Sequence, residues 1–381
     1  MKTTSKMGKD PNKLDATLAK AEEGEILSKK EITFLLGMKD NEQIDRLFQA
    51  ARHLRRKHFG NAVFLYGFIY ASTYCRNDCR FCFFRRSNTQ SRRYRKATPK
   101  IVAAARGLAD AGVHLIDLTM GEDPSLFDTT GTGFDRLIDL VESIRKTTEL
   151  PVMVSPGVMS PNILARLAEA GASWYACYQE THQRRLFDRL RPGQDYDLRL
   201  ESKLNAHDLG LLIEEGLLCG AGETNLDIAE SMAVMRRLDA DQVRVMNFVP
   251  QPGTPMEKRT PAEPLKEMLI SAVMRLLFPN RLIPASLDVD GLAGLKQRLN
   301  AGANVVTSIV PPGEGLAGVA QHNLDIEEGR RTIASVMKVL EACELRSARI
   351  EEYLAWIRSR QEAMACTFQR RKSRVSGGCG R

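Results

Sequence analysis

A chain of 381 residues, 43% hydrophobic and 27% charged, can bury a full core and has none of the compositional marks of a disordered or disulfide-scaffolded protein. Its net charge of +8 gathers in two stretches, 80–96 and 370–381, which read as solvated segments; with no RNP-like or zinc-finger pattern beside them, no nucleic-acid partner is expected. No apolar run approaches the roughly 18 residues of a membrane span, the opening MKTTSKMGKDPNKLD lacks the apolar stretch of a signal peptide, and a cysteine usage of one close triplet with the rest scattered suits a reducing, cytoplasmic setting.

Residues 1–59 read as a helical extension. Positions 15–23 are rich in helix formers, Ser28 and Glu31 have the spacing of a capping box, and 42–57 align Ile44, Leu47, Phe48, Ala51 and Leu54 on one face, as a cap packed on a barrel would. From Val63 onward, apolar runs alternate with segments of helical period: 64–73, 114–120, 152–157, 174–180, 214–222, 242–250, 282–288 and 304–311. Nearly continuous runs suit strands buried on both faces, and eight βα units predict a (β/α)8 TIM barrel over 60–345 in preference to a doubly wound sheet. Among the helices, 99–111 has Thr98 as its expected N-cap and Pro99 at the first helical position. A C-terminal part, 346–381, is expected as a polar helix over 346–361 followed by a basic, unstructured, flexible tail. Thr73, Asp117, Glu122, Ser155, Glu180, Glu223, Asn247, Ser286 and Asp288 stand near the ends of the runs, on the rim where such barrels carry their chemistry.

Cys75, Cys79 and Cys82 follow directly on the first run, so one short loop presents three thiols. Thiolates are the usual ligands of iron–sulfur clusters, and three of them leave one iron of a cube open to an exogenous amino-carboxylate such as that of S-adenosylmethionine. The competing reading is structural zinc, which is normally closed by four ligands in paired spacings. No second pair exists, since Cys177, Cys219, Cys343, Cys366 and Cys379 stand alone and read as small buried hydrophobes. Phe81, just before Cys82, is apolar and suited to lie against adenine.

Further features are weak singly and consistent together. Gly121 closes the second run and allows close backbone approach to a methionyl amine, with the Glu122 carboxylate beside it. Glu180 and Arg199 are candidates to grip a zwitterion, the arginine by a bidentate bond to its carboxylate. Small residues over 216–224 leave room for adenine; in isolation each of these patterns is an ordinary βα turn.

The C-x3-C-x2-C spacing is the signature of the radical S-adenosylmethionine superfamily. Taken with IDLTMGEDP, VSPGVM, YQETHQRRLFDRLRPGQDYDLR, GLLCGAGET, VRVMNFVPQPGTP, RLIPASLDVDGL and RLNAGANVVTSIVPP, the chain from about residue 27 to 340 resembles the methylornithine synthase family of pyrrolysine biosynthesis, relatives of biotin synthase and HydE. The resemblance implies a lysine mutase, an isomerase that turns L-lysine into 3-methylornithine. A 5′-deoxyadenosyl radical takes a side-chain hydrogen, and the skeleton fragments into a glycyl radical and an aminobutene that recombine as the branched product. It implies a [4Fe–4S] cluster on Cys75, Cys79 and Cys82 and S-adenosylmethionine against Phe81, Gly121, Glu122, Ser155, Glu180 and Arg199. For the substrate it implies Arg244 on the carboxylate, with Asp117, Ser286 and Asp288 on the ammonium groups. An arginine within VRVMNF is costly to bury unpaired, and Ser286 and Asp288 share one face of their strand, which agrees with a pocket for an amino acid.

Two other readings are open at this level. A biotin-synthase-like or HydE-like enzyme would act on another small molecule; a second cluster would need more thiols than Cys177 and Cys219. A zinc-stabilised nucleic-acid binder would use Arg85, Arg86, Arg92, Arg93, Arg95 and Lys96. The same basic segment, lying beside the cysteines, would suit an acidic low-potential electron donor, a flavodoxin or ferredoxin.

Overall fold

Residues 11–128, 132–311 and 331–376 are described by the computed structural model of the chain. The extension forms α1 (Pro11–Glu22), α2 (Lys29–Leu36) and α3 (Asn41–Phe59). The capping box is present: the Ser28 hydroxyl accepts from the Glu31 amide at 3.3 Å, and the Glu31 carboxylate accepts from the Ser28 amide at 2.6 Å. The expected face of α3 is the buried one, with Ile44, Leu47, Ala51 and Leu54 turned inward.

There follow β1 (Ala62–Ser72), α4 (Thr98–Ala111), β2 (Leu115–Met120), α5 (Thr132–Thr148), β3 (Val152–Ser155), α6 (Pro161–Glu169), β4 (Ala172–Ala176), α7 (Arg184–Leu190) and α8 (Tyr196–Asp208). Then come β5 (Leu212–Cys219), α9 (Asn225–Arg237), β6 (Gln242–Asn247), α10 (Pro264–Leu277), β7 (Pro284–Ser286), α11 (Leu295–Asn300), β8 (Val305–Ile309), α12 (Ile333–Ala342), β9 (Arg346–Ser347) and α13 (Ile350–Ser376). The barrel strands are parallel in the order β6, β5, β4, β3, β2, β1, β8, β7, and a bridge from Gln242 to Leu282 brings β6 against β7. Each apolar run overlaps one barrel strand, and the architecture is the (β/α)8 barrel the pattern predicts. Each run also overshoots its strand or begins late, because apolar character continues into the buried loops: β4 stops at Ala176, and Glu180 rejoins the sheet only by a bridge to Leu217.

Two details depart from expectation. The N-cap of α4 is Ala97, with Thr98 the first helical residue and Pro99 within the first turn, where its missing N–H costs nothing. The C-terminal helix neither starts at 346 nor stops at 361: β9 pairs with the foot of β1, and α13 runs from Ile350 to Ser376. No Gly or Pro interrupts that span before Gly377, and residues 377–381 lie outside the described residues. Its overall polarity hides a narrow apolar stripe. Tyr353, Ile357 and Met364 pack beneath the barrel against Phe64, Leu115 and Leu212, and Trp356 stacks on Trp174 at 5.9 Å. Arg360, on the same stripe, bonds Asp241 at 2.8 Å and Asp239 at 3.1 Å. Burying side chains of this size is worth about 1.5–3 kcal/mol each, enough to fix the helix as a floor.

Side chains alternate along each strand, so one set faces the outer helices and the other the barrel interior. Above the apolar floor the interior turns polar, with Asp117 on β2, Glu214 on β5, Arg244 on β6 and Thr307 on β8, all buried.

Candidate active site

The β1–α4 connection, residues 73–97, folds over the C-terminal mouth of the barrel and is shaped by one arginine. Arg93 sends Nη1 to the carbonyls of Thr73 (2.5 Å) and Phe84 (2.9 Å), and Nη2 to those of Arg85 (2.5 Å) and Asn88 (3.3 Å). Arg95 forks onto Asp123 at 2.7 and 2.8 Å. The basic run expected as a solvated face is therefore partly a scaffold, because an irregular loop has carbonyls that no strand or helix satisfies and a guanidinium can gather them. Arg80, Arg86 and Arg92 remain exposed.

On this loop Cys79 is buried and Cys75 and Cys82 are half-buried, with Cys82 against Phe68, Tyr70, Phe83 and Phe84. Burial raises the Cys75 and Cys82 thiols above their ordinary range, and the neighbouring cysteines raise them further. Those two thiols stay protonated unless a positive centre arrives, which is the behaviour of ligands awaiting an iron–sulfur core. Among the described residues no three His, Cys, Asp or Glu groups close on a point that one metal ion could occupy; a cube taking one thiolate per iron spreads its ligands more widely. Cys177 and Cys219 point into the apolar layer between strands and outer helices, away from the barrel interior. They cannot serve a second, deeper cluster.

The cofactor candidates gather beside the cysteines. Gly121 lies so close to the loop that a Cβ on it would stand 2.9 Å from the Cys75 Cβ and from the Tyr74 carbonyl. Glu122 accepts from Arg76 Nε at 2.9 Å and from Arg199 Nη1 at 3.2 Å. It sits over Gly157, where φ is +91° and a Cβ would overlap the Glu122 side chain at 2.0 Å. Arg199 also donates to the Tyr178 carbonyl at 2.8 Å. Glu180 and Arg199, the two expected grips for a zwitterion, each have a protein partner: Arg199 pairs with Glu122 at 3.2 Å, and Glu180 pairs with Arg191 at 2.8 Å. Glu180 holds a positive φ of 65°, and burial raises its carboxyl above the usual range. Phe81 packs beside Leu186, Leu190, Leu218 and Phe248. Three solvent-shielded polar atoms in this group lack protein partners, namely Ser155 Oγ, Glu180 Oε2 and Arg199 Nε. Orphaned polar atoms of both signs are what a bound zwitterion would satisfy.

Deeper in the barrel the substrate candidates occupy one connected layer. Arg244 directs Nε to Glu214 at 3.0 Å, Nη1 to the Tyr178 hydroxyl at 3.2 Å and Nη2 to Thr307 at 3.0 Å, while the Tyr178 hydroxyl donates to Glu214 at 2.6 Å. Asp288 accepts from Ser286 at 3.2 Å, Ser308 at 2.7 Å and Arg331 at 2.8 Å. Asp117 accepts from the Thr119 hydroxyl at 2.8 Å. Burial, with Glu214 next, pushes its carboxyl up to about 7. Glu214, Tyr178, Arg191 and Arg331 were not singled out from the sequence. The adjacent Glu214 and Glu215 in an apolar run are the one available signal, since alternation sends one of them inward. Glu215 turns outward, pairs with buried Lys203, and accepts the Gln179 amide at 2.8 Å, which anchors the β4 loop.

The sequence profile of the Radical SAM superfamily matches residues 69–235, from β1 to α9. The 3-methylornithine synthase of Methanosarcina acetivorans is 42% identical over 340 residues, covering 89% of this chain and 96% of that protein. The [FeFe] hydrogenase maturase subunit HydE of Thermotoga maritima is 30% identical over 274 residues, 71% of this chain and 77% of its own. The crystal structure of methylornithine synthase (PylB) superposes with a TM-score of 0.84 at 42% identity, over 89% of this chain and 99% of that one. A [4Fe–4S] cluster and S-adenosylmethionine are the cofactors of this superfamily, and the thiol trio and the orphaned polar atoms beside it fit both. With 42% identity over about nine-tenths of its length, this chain belongs to the 3-methylornithine synthase family of the radical SAM superfamily.

Proposed function

We propose that this protein is a radical isomerase that converts L-lysine into 3-methylornithine, the first step toward pyrrolysine. The observation that carries the reading is the charge pattern of the polar layer. Among the described residues there, the carboxylates of Asp117, Glu214 and Asp288 face the guanidiniums of Arg244 and Arg331. That leaves one carboxylate, Asp117, with a hydroxyl as its bonded partner. A ligand with one carboxylate and two ammoniums, net charge +1, neutralises the layer; a neutral or anionic ligand does not.

When bound, the cluster and S-adenosylmethionine supply a carbon radical able to remove a hydrogen atom from an unactivated C–H bond. The chain's own residues bind, orient and seclude. Cys75, Cys79 and Cys82 hold the cluster, and Phe81, Gly121, Glu122, Ser155, Glu180 and Arg199 seat the cofactor. Arg244, held on three sides, offers its remaining N–H groups to the substrate carboxylate. Asp117, with Ser286 and Asp288, takes the ammonium groups. The apolar floor and α13 close the far end, which keeps water out and holds two fragments within recombination distance.

The electron comes from an acidic flavodoxin or ferredoxin in the cytoplasm, docking on Arg80, Arg86 and Arg92 beside the cysteines, and its reduction rate should fall as salt is raised. Among the described residues no helix is long and apolar enough to cross a membrane. The deciding experiment is anaerobic incubation of cluster-loaded protein with S-adenosylmethionine, reductant and L-lysine, followed by chromatography against authentic 3-methylornithine. Mass alone cannot discriminate, because isomerisation leaves it unchanged. Unconverted lysine, under conditions where the cofactor is cleaved, would overturn the assignment.

A further inference from the structure

The three cysteine sulfurs are not served alike. Cys75 Sγ accepts the Asn77 amide at 3.5 Å and also draws on the Glu122 backbone, and Cys82 draws on the Phe84 amide, all of them main-chain donors. Cys79 Sγ is met by two side chains from another part of the barrel: Gln194 Nε2 at 3.0 Å and Arg191 Nη1 at 3.5 Å. The segment that carries them is tied to the cysteine loop, since the Arg80 amide donates to the Leu190 carbonyl at 2.9 Å. The orientation of the Gln194 amide is fixed as well. Its Oε1 accepts from Arg191 Nη1 at 3.2 Å, which turns the NH2 end toward the sulfur.

We infer that Gln194, oriented by Arg191, sets the reduction potential of the cluster through its hydrogen bond to the Cys79 thiolate. Taking up one electron adds negative charge that is shared with the ligand sulfurs, so a donor aimed at a sulfur stabilises the reduced form more than the oxidised form and raises the potential. Arg191 also points at this sulfur, but its charge is offset by Glu180 at 2.8 Å. The neutral amide of Gln194 is therefore the donor that can be removed without disturbing an ion pair. Gln194 acts through Cys79 and is a positioning residue. The inference needs only the cluster and stands whatever substrate the barrel takes.

The test is a potentiometric titration of the full chain, cluster-loaded and free of S-adenosylmethionine and substrate, read by the paramagnetic signal of the reduced cluster. Iron content is measured first. In Gln194→Leu the reduced-to-oxidised ratio at a fixed potential is expected to fall about tenfold, a midpoint about 59 mV more negative for a one-electron couple. In Gln194→Glu, which keeps the length and replaces the donor by an anion, the fall should be larger. If Gln194→Leu fails to keep its iron, Gln194→Asn, one methylene shorter, is titrated instead and should also move to more negative potential. A ratio within twofold of the native protein in the variant that retains its cluster overturns the inference, because a purely structural role would leave the midpoint where it was.

Discussion

Tyr66 of β1 and Tyr353 of α13 meet hydroxyl to hydroxyl at 2.8 Å, both buried, where the apolar floor gives way to the polar layer. Glu214 lies close enough to help raise both hydroxyls above their ordinary range. A residue near the end of the chain thus lies directly beneath the layer assigned to the substrate.

Removing that contact should be costly. Tyr353→Phe forfeits one buried hydrogen bond and leaves the Tyr66 hydroxyl without that partner, a loss of about 1 kcal/mol. Tyr353→Ala also opens a cavity and should cost about 3–5 kcal/mol, as large aromatic truncations do. Urea unfolding of the variants under anaerobic conditions measures both. A change in Tyr353→Ala no larger than that of a surface substitution would mean that α13 is not part of the floor.

Asp117 makes binding depend on pH. Its carboxyl is held near a pKa of about 7, by burial first and then by Glu214, with Asp288 also raising it and Thr119 and Arg244 acting the other way. The unfolded chain ionises this group near its ordinary value of 3.8. Between those values the folded state binds more protons, so stability falls as pH rises through the window and levels off above it. A substrate ammonium selects the ionised form, so lysine binding releases a proton below about pH 7 and weakens toward tenfold per unit of further acidification. Asp117→Asn should abolish the pH dependence and raise the unfolding midpoint at pH values above 7. Calorimetry in buffers of different protonation enthalpy reads the proton, and lysine affinity that is flat across the window in native protein would refute the assignment.

What could be read in advance follows the range of the interactions. Strands buried on both faces announce themselves as continuous apolar runs, and three cysteines in eight residues need no folding to be recognised. Pairings across the chain leave no such trace. Asp288 finds Arg331 beyond a long connection, and Arg244 finds Glu214 on the adjacent strand. Nothing local distinguishes Glu214, turned inward, from Glu215, turned toward Lys203. Likewise nothing near Glu180 in the sequence marks Arg191, eleven residues on, as its partner. The stripe on α13 is hard to read in the sequence because its buried positions include Arg360, a charge whose partners Asp239 and Asp241 only the fold supplies.

The Arg244–Glu214 pair allows binding and stability to be separated. Arg244→Met leaves Glu214 buried without its cation and should destabilise the fold by about 3–5 kcal/mol as well as abolish lysine binding. Adding Glu214→Gln removes the stranded charge, so the double variant should recover much of the stability but none of the binding. Thermal unfolding with calorimetric titration of lysine completes the cycle. Recovery of binding in the double variant would show that Arg244 does not contact the substrate.

Arg93 provides the corresponding test for the cysteine loop. Its guanidinium gathers the carbonyls of Thr73, Phe84, Arg85 and Asn88, and these flank Cys75 and Cys82 on both sides. Arg93→Leu removes those bonds at the mouth, away from the strands that build the core, so far-ultraviolet circular dichroism should stay native while iron per chain after reconstitution falls severalfold. Arg93→Lys keeps the charge but lacks the planar fork that reaches several carbonyls at once, and it should rescue iron loading only in part. Full loading in Arg93→Leu would mean that the loop takes its shape from the cluster it binds; loss of the circular dichroism signal would mean that the clamp supports the barrel as well as the loop.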